Sequence, residues 1–191
     1  MRKSLVMCVL MISLLLTACG GKGNETPMDR ALAVRGEYLS ANGCTARMRV
    51  KADYGQRVYT FVVDVQVGGG ETVLTVREPA EVAGITARLK DGQSRLEYDG
   101  TMLETGALAE DGLTPISAAA ALFDAAKSGF IDSCGTEVES LYILCRDPDE
   151  MPGDGREIAL WFAPDGTLLQ GEVSVDGRQV IRCDLEHFAL N

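Results

Sequence analysis

The first apolar run, Leu5–Leu16, is 12 residues long and follows Arg2 and Lys3. A bilayer-spanning helix needs about 20 apolar residues, so the run has the length of a signal-peptide core behind a positive n-region. It ends in Leu16-Thr17-Ala18-Cys19-Gly20 and gives way at once to small and polar residues. From Met28 to Ala41, the residues Ala31, Leu32, Val34, Tyr38 and Leu39 recur at helical spacing, and Asn42-Gly43 stops the pattern. The period then becomes two. Ala46, Met48, Val50 and Ala52 alternate with Arg47, Arg49, Lys51 and Asp53, and past a turn at Gly55-Gln56 the residues Tyr59, Phe61, Val63, Val65 and Val67 share one face of a second strand.

Shorter alternating stretches follow at Thr72–Arg77, Ile85–Lys90, Arg95–Tyr98 and Met102–Thr105. Gly68-Gly69-Gly70, Asp91-Gly92 and Asp99-Gly100 turn the chain between them. No helix follows the glycine triplet, so it is not a phosphate-binding loop. One helix interrupts the meander. Thr114 suits its cap, Pro115 its first position and Gly129 its exit. Ile116, Ala119, Ala120, Leu122, Phe123 and Ala126 form its apolar stripe, and Lys127 is expected to point outward. Strands resume at Glu139–Arg146, Glu157–Phe162, Leu168–Val175 and Gln179–Phe188, turned by the acidic loop 147–155, Pro164-Asp165-Gly166 and Asp176-Gly177. The pattern predicts a mainly β chain with minor α content and about nine or more strands. Their short links make nearly all neighbours antiparallel. A single sheet of that size must curl, split or close, its apolar face needs a cover, and the central helix is the only sizeable one on offer.

The segment around Cys19 resembles a bacterial lipobox, in which the cysteine thiol takes a diacylglycerol and cleavage frees its amine for a further acyl chain. On that reading 1–18 is a lipoprotein signal peptide, 19–27 a lipidated tether and 28–191 the domain, held on the extracytoplasmic side of the cell membrane by two or more acyl chains. Loss of Arg2 and Lys3 with the leader takes the net charge from −10 to −12. So acidic a chain lacks the basic footprint that nucleic acid requires.

Four cysteines remain beside Cys19: Cys44, Cys134, Cys145 and Cys183. An exported protein meets conditions that permit disulfides, which are the preferred state over free thiols, and none of the four sits at a metal-ligand spacing. Three pairings are open. Cys44 and Cys183 share the apolar parity of the first and last strands, which would pair them if those strands approach and leave Cys134 with Cys145. A catalytic pair of Cys183 with the only histidine, His187, fails because four residues of strand span about 13 Å. The loop Asp147, Asp149, Glu150, Asp154 and Glu157 matches no EF-hand. No cofactor or metal is implied. Trp161 and Phe162 fall on opposite faces of one strand, the outer one a candidate partner surface.

The order of anchor, short helix, long meander, central helix and final four-strand meander resembles the LolA/LolB superfamily of lipoprotein carriers. The stretches "VREPAEVAGITARLKDGQSRLEYDG", "LTPISAAAALFDAAKSG" and "LWFAPDGTLLQGEVSVDGRQVIRCDLEHFAL" are similar to lipid-anchored bacterial members. The resemblance spans roughly residues 28–190. It implies a curved antiparallel incomplete β-barrel with a helix across the concave face and a hollow that receives acyl chains or another hydrophobe. The function expected is therefore a non-enzymatic, membrane-anchored lipoprotein that binds an acyl chain, a lipid or a lipoprotein. The alternative is an adaptor that docks another cell-envelope protein without carrying lipid. Strand parity assigns Met48, Val50, Tyr59, Phe61, Val63, Leu74, Ile85, Leu89, Leu96 and Tyr98 to the concave face, with Leu122 and Phe123 meeting them from the helix as a lid.

Overall fold

The computed structural model describes residues 25–107 and 112–191; the signal segment and Cys19 lie outside the described residues. Helix α1 (Pro27–Ser40) precedes strands β1 (Gly43–Asp53), β2 (Val58–Gly68), β3 (Glu71–Glu78), β4 (Thr86–Lys90), β5 (Gln93–Tyr98) and β6 (Thr101–Ala107). Helix α2 (Ala118–Ser128) leads into β7 (Ile131–Glu137), β8 (Ser140–Arg146), β9 (Arg156–Phe162), β10 (Leu168–Val175) and β11 (Arg178–Leu190). The strands form one unclosed antiparallel sheet in the order β6-β5-β4-β3-β2-β1-β11-β10-β9-β8-β7. Two meanders are thus joined where the first and last strands meet, and the sheet curls into an incomplete barrel.

Eleven strands stand among the described residues, within the expected nine or more, and the final meander has five members, not four. The strand missed is β7. Its sequence, IDSCGTE, has apolar residues only at Ile131 and Cys134, so no period-two pattern marks it. Its partner β8 supplies the order.

The central helix also begins later than Pro115. The Thr114 hydroxyl accepts the Ser117 amide at 3.1 Å, and the Thr114 carbonyl accepts the Ala118 amide at 3.0 Å. Thr114 therefore caps a leading turn, with the regular helix starting at Ala118.

The central helix is not the sole cover. Helix α1 starts with a capping box: Thr26 accepts from the Asp29 amide at 3.2 Å, and Asp29 accepts from the Thr26 amide at 3.0 Å. It packs on α2, β7 and β8. Its Tyr38 is fully buried, with the rings of Phe123, Phe162 and Phe188 centred 5.5–5.9 Å away and its hydroxyl donating to the Gly166 carbonyl. Burial pushes its phenol well above its usual range.

Helix α2 rests on the inner face of the C-terminal meander, on β9 and β10, and reaches β2 of the other meander. A Cβ at Gly171 would lie 2.5 Å from both δ carbons of Leu122, so the glycine makes that leucine's seat.

Strand β11 carries a bulge. Arg47 faces Glu186 while Thr45 faces Ala189, leaving one extra residue, and His187 sits there at φ 51°. Leu185 and Phe188, three apart, therefore both face inward. His187 turns to the convex side beside Arg47 and Asp64, opposite to Cys183.

The expected disulfides are absent: all four described cysteines are free. The first and last strands do meet, but in a register that sets Cys183 against Val50, six residues along β1 from Cys44 and about 20 Å from it. Cys134 faces Ile143, one diagonal step from Cys145. A diagonal pair lies about 7–8 Å apart, at or beyond the reach of a disulfide.

Burial pushes the Cys44 and Cys145 thiols from 9.0 up to about 11 and Cys183 up to about 12. A thiol raised in the folded state adds stability that is complete below pH 9 and is lost as pH climbs through 11–12, because the unfolded chain ionises first. Ellman titration should find all four thiols in denaturant, with Cys44, Cys145 and Cys183 reacting slowly in the native protein, and the unfolding midpoint should fall steeply above pH 9. Fewer than four titratable thiols in unreduced, denatured protein would restore a disulfide.

Candidate functional site

Because α2 lies over the C-terminal meander, it leaves part of the N-terminal meander's inner face free. A cleft of ≈ 270 Å³ opens there between α2 and the hairpins β2–β3 and β4–β5. Its floor is one continuous row across the sheet, Val67, Thr72, Leu89 and Ser94, each paired with the next. Ala120, Ala121 and Phe123 form the helical wall. Gly68–Gly70 and the charged groups of Lys90, Asp91, Asp124 and Lys127 border the mouth. The lining is mixed: Val67, Leu89, Ala120 and Phe123 supply apolar surface, Thr72, Ser94 and Ser117 supply hydroxyls, and charged groups stand at the rim, so the cleft offers both apolar and polar contacts.

Register puts all ten strand residues assigned by parity on this one face of the sheet. Their surroundings differ. Met48, Val50, Val63, Leu74 and Leu122 are at most 3% exposed and belong to a solid core. The gap beneath α2, among Met48, Val65, Leu122, Phe123, Leu185 and Phe188, holds only ≈ 10 Å³, the least that could admit one water. Phe61, Ile85 and Leu96 are half-buried, whereas Tyr59 and Tyr98 are 40% and 54% exposed. Of the twelve residues, Leu89 and Phe123 alone line the cleft.

The hollow thus lies beside the helix and not under it. Thr72 and Ser94, buried floor residues, carried no apolar signal in the sequence; only their concave parity could have found them. Lys127 does not point freely outward: its ammonium stands 5.2 Å from the Phe123 ring centroid, in cation–π contact at the cleft wall.

The convex face is laced with exposed ion pairs, among them Asp64 with Arg47 at 2.7 Å and with Arg77 at 2.6 Å. The Arg47 hydrogen bond is the main cause holding the Asp64 carboxyl below its usual range. Such pairs contribute little each. In the acidic loop, Asp147 accepts from the Asp149 amide and Glu157 from the Gly153 amide, so these carboxylates order their own turn. Among the described residues no group of three or more His, Cys, Asp or Glu side chains is placed to hold a metal ion. No described helix is long and apolar enough to cross a membrane. Trp161 faces outward, donating to Glu137 at 2.9 Å and packing on Tyr142, while Phe162 is wholly buried.

No protein-family model matches the chain, and no curated protein matches it in sequence. Solved structures do match in fold. The structure of the CwlD amidase from Clostridioides difficile in complex with the GerS lipoprotein aligns at TM-score 0.50 and 10% identity, covering 89% of this chain and 99% of the matched one. An uncharacterized conserved protein from Thermus thermophilus aligns at 0.49 and 7% identity, over 87% and 88%. A LolA superfamily protein from Nitrosomonas europaea aligns at 0.42 and 10% identity, over 84% and 93%. At these identities the likeness speaks of fold alone: one open, curved antiparallel sheet of eleven strands with helices on its inner face.

Proposed function

We propose that the protein is an extracytoplasmic lipoprotein, anchored through Cys19, that binds the hydrophobic part of an amphiphile in the cleft beside α2. The carrying observation is the uneven cover of the concave face. One half is sealed by α2; the other keeps an open ≈ 270 Å³ cleft in which Val67, Leu89 and Phe123 offer apolar surface beside the hydroxyls of Thr72 and Ser94, with charged groups at the mouth. Burying an acyl chain contributes about 0.8 kcal/mol per CH₂, so even a partial chain gains several kcal/mol. The cleft is below the usual range of about 300–1,000 Å³ for ligand sites, which favours one acyl chain, or the acyl part of a lipoprotein, over a whole lipid. No catalytic step is assigned to it.

A second reading has its own observation. The space directly beneath α2 is filled, as in an adaptor that docks another envelope protein and carries nothing. A solved complex between an amidase and a lipoprotein within this range of folds supports the same reading. Native mass spectrometry of protein extracted gently from its own membranes separates the two. A co-purifying amphiphile supports the cleft; a stoichiometric protein partner with an empty cleft supports the adaptor.

Anchoring has a separate test. Cys19→Ser should remove all acyl mass and leave the precursor uncleaved by the lipoprotein peptidase or the protein soluble. Acyl groups persisting on that variant would refute the lipobox.

A further inference from the structure

Helix α1 turns an apolar stripe to solvent. Met28, Leu32 and Leu39 are 42%, 54% and 58% exposed, and at 3.6 residues per turn they fall within roughly 40° of arc. This stripe lies beside the arc of Ala31 and Tyr38, which are buried in the core. Arg35 sits at the stripe's edge and donates to the Gly129 carbonyl, which brings Phe130, 51% exposed, alongside. The helical spacing places Leu32 and Leu39 in the same apolar set as Tyr38. The core uses only part of that set, so something else must account for the remainder.

We infer that this stripe lies on the membrane surface, the outer leaflet that receives the acylated Cys19; the inference rests on the anchoring proposed above. The chain's own length argues for that occupant. Pro27 is eight positions after Cys19, and an extended chain covers at most about 3.3–3.6 Å per residue. The helix therefore starts within roughly 30 Å of the anchored residue. The capping box at Thr26 and Asp29 fixes the direction in which the chain enters the helix, and Met28 opens the stripe in the first turn on that same end. A helix of 14 residues is about 21 Å long. Lying flat, it brings Leu39 to the surface as well as Met28, the arrangement of an interfacial amphipathic helix. Arg35 is the charged residue at the stripe's edge, and no acidic side chain lies within it, in a chain otherwise rich in carboxylates. The stripe adds orientation to an anchor that already supplies affinity, and it leaves the cleft on a body held at a set angle to the bilayer.

The test uses the full mature chain, purified with its anchor in a Trp161→Phe background and reconstituted into phosphatidylcholine vesicles with dibrominated acyl chains. Leu32→Trp places the probe on the stripe. Ala33→Trp, on an exposed position about 100° round the helix, is the control. Intact mass reports the acyl group on Cys19 in each sample. The expected result is at least twofold stronger quenching of the tryptophan at position 32 than at 33. Equal quenching with the acyl group present overturns the membrane contact and leaves the anchor standing. If position 32 is shielded instead by a co-purified protein, the stripe belongs to that protein and the membrane contact is likewise overturned. Differential quenching without an acyl group keeps the contact and removes the anchor. Neither acyl group nor quenching overturns both.

Discussion

Phe162→Ala is expected to lower the free energy of unfolding by about 3–5 kcal/mol. Phe162 is fully buried on β9 and meets the Tyr38 ring edge-on at 5.5 Å. Tyr38 in turn touches Phe123 of α2 and Phe188 of β11, so one ring joins both helices to the sheet. Truncation removes the transfer free energy of the phenyl ring and leaves a cavity that Tyr38, held by its hydrogen bond to Gly166 and by two further rings, cannot collapse into. Chemical denaturation of wild type and variant reads the difference as a shift in midpoint at unchanged slope. A loss below about 1 kcal/mol would mean that α1 is not seated on the sheet as described. The exposed Leu169, 40% accessible on β10, is the comparison position, where alanine should cost no more than about 0.5 kcal/mol.

The largest functional effect is expected from Ala120→Trp. Ala120 lies on the cleft wall and is only partly buried, so an indole there fills the cleft without entering the packed core under α2. Binding of a fluorescent fatty acid should weaken at least tenfold, about 1.4 kcal/mol, with the unfolding midpoint nearly unchanged. That separation is what Phe123→Asp cannot provide, because Phe123 belongs to both the cleft wall and the Tyr38 cluster. Lys127 is likewise no neutral control, given its contact with the Phe123 ring. Thr136→Trp, on an exposed residue of the edge strand β7, should change neither quantity. Equal binding by wild type and Ala120→Trp would place the ligand elsewhere. Absence of binding by the wild type would leave the docking reading in possession.

Much of the architecture was legible in the chain because it is local. Alternation over Ala46–Ala52 and Tyr59–Val67 needs only the period of the pleat, and both stretches are strands with that parity. Asp91-Gly92, Asp99-Gly100 and Asp176-Gly177 turn because Asp and Gly tolerate the positive φ that each shows. Concave parity for Met48, Phe61, Leu74 and Leu96 follows from the same period. Other features depend on pairs distant in sequence. Strand β7 has no alternation of its own and is ordered by β8. The β11 bulge, the apolar step from Leu185 to Phe188 and the displacement of His187 arise from pairing with β1. Register also decided the cysteines: parity placed Cys44 and Cys183 on one face, yet a shift along the strand leaves parity unaltered while moving the pair about 20 Å apart. The volume of the hollow was the least legible. It is the difference between the space the curled sheet encloses and the side chains that two helices bring to it. The seat of Leu122 over Gly171 and of Tyr38 among three rings fills one half and leaves the other open. Periodicity tells a residue which face it joins; only packing tells whether another residue already occupies the space in front of it.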